Sequence, residues 1–566
     1  MRQFIHSDNV GFQRSVRFST LALLPVILLF LSVPAVSQQD TSKLKLEQLV
    51  ETNMAGVTEA WQQNDIQKAL GLLDELYHNP GLDHTGMTWV NIVYGLACAH
   101  SLLHQADDAI RYFGESVDAG LAYYDNVVKD SDLDFIRGDV RFQKLLSRLK
   151  PLGTFWDNPF FGTPYQENIS DDEKLAGLSR FWSECKYNFV YFDKLPDLNW
   201  DSVYFAYLPQ IRQTRNTMEY FRVLQRFSAE LKDGHTRVEA PNDLLDEIYD
   251  RPAIDTRLVE DRVVITNVVD KELSKMGLKP GLEVVAVDGM PVKTYAESQV
   301  EPYTGASTEQ GRQQLVYSYY LLCGAKSTPV KMTLKDGKAK QFDVELTRRW
   351  RSFLPAPAAK FQMLKDRVAY LELRSFGDNS IVSVFDSLFD QINNARGLII
   401  DLRENSGGNS DPAFTILSYL VDTAFTTVTV KLPEYMPWRR SQGLGTKWET
   451  THWSQSANEK KQFKKPVVVL IGPATASAAE DFVAAFASLN RGKTIGEPTA
   501  GSTGQPIWFS LPGGIVGQVC TNRTVFADGR EYVGVGIRPD IVGRPTVADI
   551  RSGRDPVLET ALRCLK

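Results

Sequence analysis

The sequence reads VVVLIGPATASAAEDF from Val467 to Phe482. Its opening apolar run, mostly β-branched, is typical of a strand that is buried on both faces of a sheet. A glycine–proline pair then predicts a turn, and the small residues that follow predict the start of a helix. Strand, tight turn and helix in this order predict an α/β layer with Ser477 at the N-terminus of the helix.

Ser477 has two interpretations at this position. As a nucleophile at a strand–helix turn, it would lie beside unpaired N–H groups and the positive end of the helix dipole, which favour developing negative charge. As a helix cap, Ser477 would form a capping box with Glu480 and satisfy the first amides of the helix. The segment alone leaves both interpretations open.

Two more apolar runs extend the predicted layer, VAYLEL at 368–373 and GLIIDL at 397–402. The second run is followed closely by Gly407 and Gly408. Paired glycines allow a backbone to approach a ligand and to direct its N–H groups at an oxygen. Most such turns only reverse the chain, so this turn by itself does not establish a site.

A serine nucleophile needs a general base, usually histidine, because the free hydroxyl is a poor nucleophile at neutral pH. Most of the seven histidines lie in the first 104 residues, which leaves His235 and His452. His452 lies in a polar stretch that predicts a surface loop. His235 lies in the turn KDGHT at 232–236, between a predicted helix and a strand-like segment. We therefore take His235 as the candidate base.

The composition limits the classes of protein that fit. Of the 566 residues, 43% are hydrophobic and 23% are charged, which excludes collagen-like, coiled-coil and wholly disordered chains. The net charge is −6 and there is no basic run, so no nucleic-acid partner is expected. The five cysteines lie far apart without a CxxC motif, which excludes a zinc ribbon and gives no disulfide framework. We expect no metal and no cofactor, because His, Cys and carboxylate residues form no cluster.

The N-terminus has the pattern of a signal peptide over residues 1–37. Three arginines precede an apolar run at 21–31, and the residues AVS at 35–37 fit the small-x-small rule for signal peptidase. The run is shorter than the roughly 20 residues that span a bilayer, although an uncleaved anchor is the alternative. We therefore expect an exported protein of a bacterial cell envelope, periplasmic or secreted, with no membrane span after cleavage.

Residues 38–150 have a helical pattern. Ala69 precedes Leu73, and Ala109 precedes Phe113, by one helical turn, which resembles helix-hairpin repeats of the tetratricopeptide type. The two units are 40 residues apart rather than the usual spacing of about 34. We expect a small helical platform that either binds a protein partner or packs on the rest of the molecule.

The next two regions differ in pattern. Residues 165–250 are again helical and rich in aromatic residues, which indicates a core. Residues 251–348 contain short β-runs, and GLKPGL at 277–282, followed by a strand and Asp288-Gly289, resembles a PDZ domain. In that family an extended peptide adds a strand to a sheet edge. The carboxylate-binding loop of the family is absent here, so recognition of a C-terminus does not follow.

Five short phrases occur in the order that is found in one family. With the PDZ-like insert between the first and second of them, residues 165–566 resemble the S41 serine peptidases, the tail-specific and tricorn-core group. The phrases are KDGHT (232–236), DLRENSGG (401–408), TASAAE (475–480), GEPTAG (496–501) and GIRPDI (536–541). The branch that uses a Ser–Lys dyad has a lysine where this chain has Ser502, so the resemblance is to the branch with a histidine base.

The N-terminal patterns and the resemblance together imply a multidomain α/β and α protein. Its parts are a signal peptide (1–37), tetratricopeptide-like helices (38–150), a helical part (165–250), a PDZ-like domain (251–348) and a core with a ClpP- or crotonase-like spiral (357–566). The activity implied is that of an exported serine endopeptidase on extended or unfolded polypeptides. A serine hydrolase of esters or small molecules, and a non-catalytic ligand- or peptide-binding protein, are the alternatives.

The resemblance also implies the roles of individual residues. Ser477 would be the nucleophile and His235 the base, while the amides of Gly407 or Gly408 and of Ala478 would hold the oxyanion. The family's histidine-orienting glutamate aligns with Val533, which cannot play that role. Glu531, two residues earlier and on the same face of a strand, is the expected substitute.

Overall fold

The computed structural model describes residues 40–566 apart from Thr85, residues 157–158 and residues 351–356. The expected signal peptide lies outside the described residues. The described chain folds into two compact units, one that ends at Pro159 and one that runs from Phe160 to Lys566. Within these residues, no helix combines the length and the apolar character that crossing a membrane requires.

The first unit is helical, as its periodicity predicts. Ala69, Leu73, Ala109 and Phe113 are fully buried, so the small-to-large pairs form the core of this unit. Asp65 begins the second helix by accepting a hydrogen bond from the amide of Lys68. The helices are α1 (Asp40–Gln62), α2 (Ile66–Tyr77), α3 (Gly86–Leu102), α4 (Ala106–Asp118), α5 (Tyr124–Lys129) and α6 (Val140–Trp156).

The second unit opens with three helices, α7 (Asp171–Asn188), α8 (Trp200–Arg212) and α9 (Thr217–Ala229). A capping box of Ser170 and Glu173 begins α7. Phe181 of α7 and Phe227 of α9 are fully buried and contact each other edge to face. The aromatic residues of this region are therefore mainly core, as predicted.

The following region forms an antiparallel sheet with strand order β2-β3-β4-β6-β7, and β5 pairs with β4. Asp288 and Gly289 have positive φ angles and form the tight turn between β4 and β5 that the sequence predicts. The elements from the preceding turn onward are β1 (Arg237–Glu239), α10 (Leu245–Ile248), β2 (Ile254–Val259), β3 (Arg262–Val268), α11 (Lys271–Lys275), β4 (Glu283–Val287), β5 (Met290–Pro291), α12 (Val292–Tyr295), α13 (Glu309–Gln313), β6 (Pro329–Lys335) and β7 (Gln341–Thr347).

The remaining region is built on a sheet with strand order β18-β14-β13-β10-β9-β8, parallel except for β8. Every residue of β10 and β13 is buried, so the prediction of strands covered on both faces is confirmed. The elements are β8 (Ala359–Leu364), β9 (Val368–Leu373), α14 (Ser380–Asn393), β10 (Gly397–Asp401), α15 (Ser410–Ser418), β11 (Phe425–Glu434), α16 (Pro437–Ser441), β12 (Lys447–Gln455), β13 (Val467–Ile471), α17 (Ala478–Ser488), β14 (Lys493–Gly496), β15 (Pro506–Leu511), β16 (Ile515–Cys520), β17 (Arg523–Val525), β18 (Ile541–Val542), α18 (Val547–Ser552) and α19 (Pro556–Cys564).

Two small sheets complete the unit, with strand orders β1-β16-β15 and β12-β11-β17. His452 lies in β12, so the prediction of a surface loop there is wrong. The strand forms because β12 pairs with β11, where the Thr429 hydroxyl lies 2.8 Å from Nδ1 of His452. The polar composition of this stretch conceals the strand.

The packing of α17 predicts how much stability is lost when a core side chain is truncated. Phe482 of α17 is fully buried and stacks on Phe376 and Phe486. We expect Phe482→Ala to lower the free energy of unfolding by about 3–5 kcal/mol, because it leaves a cavity in the core. Urea unfolding measures this loss. Phe205→Ala removes a phenylalanine that is 67% exposed and should change the value by less than about 0.5 kcal/mol; equal effects of the two substitutions would contradict the assigned core.

Candidate active site

Ser477 lies at the turn between β13 and α17, in a backbone conformation that L-residues rarely adopt. Its φ angle is 56°, and its side chain makes no hydrogen bond to an amide of the helix. Its backbone N–H donates to the carbonyl of Ser502 at 2.8 Å. The capping-box interpretation is therefore wrong, because the strained turn points the hydroxyl away from the first amides of α17.

His235 and Ser477 are brought together although they are 242 residues apart in sequence. Nε2 of His235 lies 3.1 Å from Oγ of Ser477, and Nδ1 lies 2.7 Å from Oγ of Ser502. Both His235 and Ser477 are only 6% exposed. The site thus holds an imidazole between two hydroxyl groups.

The backbone of His235 is fixed by two buried polar side chains. The Asp233 carboxylate accepts the His235 N–H at 3.2 Å and the hydroxyl of Thr236 at 2.8 Å. The same carboxylate accepts the hydroxyl of Ser307, and the Gln518 amide donates to the His235 carbonyl at 2.9 Å. These bonds restrain the turn that carries His235.

Burial, together with the smaller effect of the positive charge of Arg237, lowers the pKa of His235 to about 3. The imidazole is therefore neutral at physiological pH and carries a single N–H. In the tautomer in which Nε2 accepts from Ser477, Nδ1 donates to the hydroxyl of Ser502. That tautomer is the one that general-base chemistry requires.

Glu531 does not contact His235, so the structure corrects the sequence-based expectation. Its carboxylate is 44% exposed and pairs with Nζ of Lys194 at 3.1 Å. Val533 is buried, and its carbonyl accepts from the same Lys194 Nζ. The hydroxyl of Ser502, and not the expected carboxylate of Glu531, lies beside Nδ1 of His235. In the sequence, Ser502 stands out only because the Ser–Lys branch has a lysine at that position. Nothing in the sequence indicates that its hydroxyl contacts His235.

Glu480 is a second residue whose part in the site was missed. Its buried carboxylate accepts the hydroxyl of Thr499 and the amides of Gly501 (2.7 Å) and Ser502 (2.8 Å). Burial raises the pKa of Glu480 to about 8, against the opposing effect of these three donors. The carboxyl group therefore fixes the loop 499–502, which presents Ser502 to the histidine.

The two glycines after β10 differ in what their amides do. The Gly407 N–H donates to Oδ1 of Asn405 at 2.8 Å, so it is already engaged. A Cβ on Gly407 would lie 2.6 Å from the Cβ of Ser477 and 3.0 Å from the amide nitrogen of Ala478, so only glycine allows this approach. Over residues 357–566, the N–H groups of Gly408 and Ala478 have no hydrogen-bond acceptor. These two amides remain free to bind an oxygen.

The arrangement contains the parts of an acyl-transfer site: a serine hydroxyl, a neutral base in contact with it, and free amides close by. Across the described ranges, no group of three or more His, Cys, Asp or Glu side chains could hold a metal ion. Nucleophilic attack by Ser477 is the chemistry that these groups support.

Part of the chain is similar to known proteins. Residues 367–542 match peptidase family S41. The carboxy-terminal processing protease CtpA of Bacillus subtilis (strain 168) is 23% identical over 280 residues, which cover 49% of this chain and 52% of that protein. The carboxyl-terminal-processing protease of Synechocystis sp. (strain ATCC 27184 / PCC 6803 / Kazusa) is 26% identical over 294 residues, covering 51% and 61%. The chain thus spans less than two thirds of the length of these relatives.

A solved structure shows the same fold. Mature CPAF complexed with lactacystin superposes with a TM-score of 0.53 and 16% sequence identity, and the match covers 70% of this chain and 98% of that one. The family match includes Ser477 and both glycines, whereas His235 lies outside it and joins the site through the fold. Over residues 367–542 the chain therefore resembles peptidase family S41.

Proposed function

We propose that this protein is a serine endopeptidase that cleaves polypeptides with Ser477 as nucleophile and His235 as general base. The observation that carries the proposal is the 3.1 Å contact between Nε2 of His235 and Oγ of Ser477. The names of the relatives, both processing proteases, support peptide bonds as the target.

The proposed reaction has two halves. Nε2 of His235 takes the hydroxyl proton while Oγ of Ser477 forms a bond to the peptide carbonyl carbon. The amides of Gly408 and Ala478 bind the oxyanion, after which the C–N bond breaks and the imidazolium gives its proton to the leaving amine. Water then repeats the sequence on the acyl-enzyme, which releases the acid and restores Ser477.

Ser502 has a positioning role in this proposal. By accepting the N–H at Nδ1, its hydroxyl stabilises the tautomer that leaves Nε2 free to accept. A hydroxyl provides a dipole where many serine peptidases provide a carboxylate, so it stabilises the imidazolium less.

The other parts of the chain receive roles on the same basis. Residues 251–348 would be a PDZ-like domain that presents an extended peptide, since their sheet is antiparallel and β2 and β7 lie at its edges. Residues 38–150 would be a tetratricopeptide-like platform for a protein partner or for packing, residues 165–250 the helical part of the peptidase and residues 357–566 its core. A signal peptide at 1–37 would direct the protein to a bacterial periplasm or outside the cell.

The nucleophile can be tested directly. A fluorophosphonate probe should label the wild-type protein on Ser477, and Ser477→Ala should lose both the label and cleavage of an unfolded protein. Hydrolysis is measured by sequencing the new termini, with p-nitrophenyl esters as a parallel substrate. Hydrolysis of esters without cleavage of protein would contradict the proposed substrate class, and undiminished cleavage by His235→Ala would contradict the proposed base.

The role of Ser502 predicts a specific kinetic change. Ser502→Ala leaves Nδ1 without its acceptor, so we expect kcat to fall by about 10- to 100-fold while KM stays near the wild-type value. Ser502→Thr keeps a hydroxyl and should recover much of the loss. An equal decrease in kcat for Ser502→Ala and Ser502→Thr would indicate that Ser502 contributes packing instead of a hydroxyl group.

Burial of His235 predicts a dependence of stability on pH. The folded-state pKa is about 3 and the ordinary pKa of histidine is 6.5, so below pH 6.5 the unfolded chain binds a proton that the folded chain does not. Stability therefore falls as the pH falls through this range. When the pH is lowered from 6.5 to 4.5, we expect the free energy of unfolding of His235→Gln to fall by about 2 kcal/mol less than that of wild type. Urea unfolding at the two pH values measures this difference.

A control separates this effect from disruption of the site. Ser477→Ala keeps the buried imidazole and should keep the wild-type dependence on pH. An unchanged dependence in His235→Gln would show that His235 is not held neutral by the fold.

A further inference from the structure

The hairpin of β11 and β12 ends in an exposed apolar surface, the hairpin tip, which we define as residues 435–448. Single exposed apolar side chains are ordinary on proteins, but several large ones within one short segment form a patch. Those of the tip are between 37% and 64% exposed: Tyr435, Met436, Trp438, Leu444 and Trp448. The proposed active site does not use any of them.

The hairpin tip is also positively charged. It contains Arg439, Arg440 and Lys447 and no acidic residue, whereas the whole chain has a net charge of −6. Lys447 pairs with Glu434 at the base of the tip. The two arginines have no carboxylate within ion-pair distance in the described part of the chain, so their charges are not neutralised by the protein.

The hairpin tip is an ordered structure. Helix α16 begins at Pro437, and Nε of Arg439 donates to the carbonyl of Gly445 at 3.1 Å, which closes the turn. The ring of Tyr435 packs edge to face on Tyr187 of α7, with centroids 5.6 Å apart. The tip therefore presents its apolar side chains without having to fold first.

We propose that the hairpin tip binds the surface of an anionic membrane. Tryptophan and tyrosine favour the interface between lipid headgroups and acyl chains, and methionine and leucine add apolar area that enters it. Arginine and lysine are attracted to anionic headgroups at the same depth. The tip combines both kinds of residue within 14 positions.

A second copy of the chain fits the hairpin tip less well. A stable dimer usually buries about 20–30 residues on each side, more than the tip supplies. Two tips would also bring arginines of like charge together, which opposes self-association. The membrane is therefore the occupant that matches both the size and the charge of the tip.

The test uses the purified full-length protein and vesicles of phosphatidylcholine with about one third phosphatidylglycerol, in low salt. We expect the protein to sediment with these vesicles and much less with phosphatidylcholine alone. Brominated lipid should quench tryptophan fluorescence more in wild type than in Trp438→Phe. This readout reports on the tip itself, so binding through another part of the chain would not produce it.

Two pairs of variants separate the contributions. Trp438→Ser with Leu444→Ser should weaken vesicle binding by at least about tenfold, and Arg439→Gln with Arg440→Gln by about tenfold or more. Phe205→Ser and Arg563→Gln, which change exposed residues elsewhere, should bind as wild type does. Wild-type binding by both tip variants, or no vesicle binding by wild type, would overturn the proposal.

Sedimentation equilibrium without lipid addresses the second copy. A monomer at the concentrations of the vesicle assay is the expected result. A dimer that Trp438→Ser with Leu444→Ser dissociates would instead assign the tip to self-association and overturn the membrane proposal. Peptidase activity is not needed for any of these measurements, so failure of the proposed function would not affect them.

Discussion

The hydrogen bond between His235 and Ser477 is the contact on which the rest of the site depends. The serine comes from the turn after β13, while the histidine comes from the turn before β1, in a different sheet. Pairing of β1 with β16 brings the histidine to the serine, and the side chain of Gln518 on β16 holds the His235 carbonyl. A neutral imidazole and a hydroxyl attract each other weakly, so the surrounding sheets must fix the distance between them.

Buried carboxylates provide much of that restraint. Asp233 holds the turn of His235, Glu480 holds the loop that carries Ser502, and Asp481 accepts hydroxyl groups of Thr503 and Tyr532. A carboxylate without partners would be very unfavourable at such burial, and each of these has two or more donors. Loss of any one donor would leave a buried carboxyl oxygen unsatisfied, so these networks permit few alternative arrangements.

The sequence predicts the elements of this site better than the contacts between them. The continuous apolar run of β13 predicts a strand that is buried on both faces. His235 follows from the small number of histidines after the first 104 residues of the sequence. The period-two argument for Glu531 holds within a regular strand, but Glu531 lies beyond β17 and forms an isolated bridge to Val525. Ser502 reaches His235 because Glu480 binds its amide, and a bond across 22 residues leaves no periodic pattern.

A hydroxyl rather than a carboxylate lies at Nδ1 of His235, and this affects the energy of the transition state in the proposed reaction. Burial that lowers the pKa of His235 to about 3 keeps the base neutral, but it also makes the imidazolium of the transition state costly. The hydroxyl of Ser502 offsets little of that cost, since a dipole stabilises a cation less than a full negative charge does. The oxyanion, which forms together with the imidazolium, is then its closest counter-charge. The N–H donors that stabilise the oxyanion therefore determine how stable the oxyanion–imidazolium pair is. Their placement depends on glycine, because Gly407 approaches Ser477 too closely for a side chain.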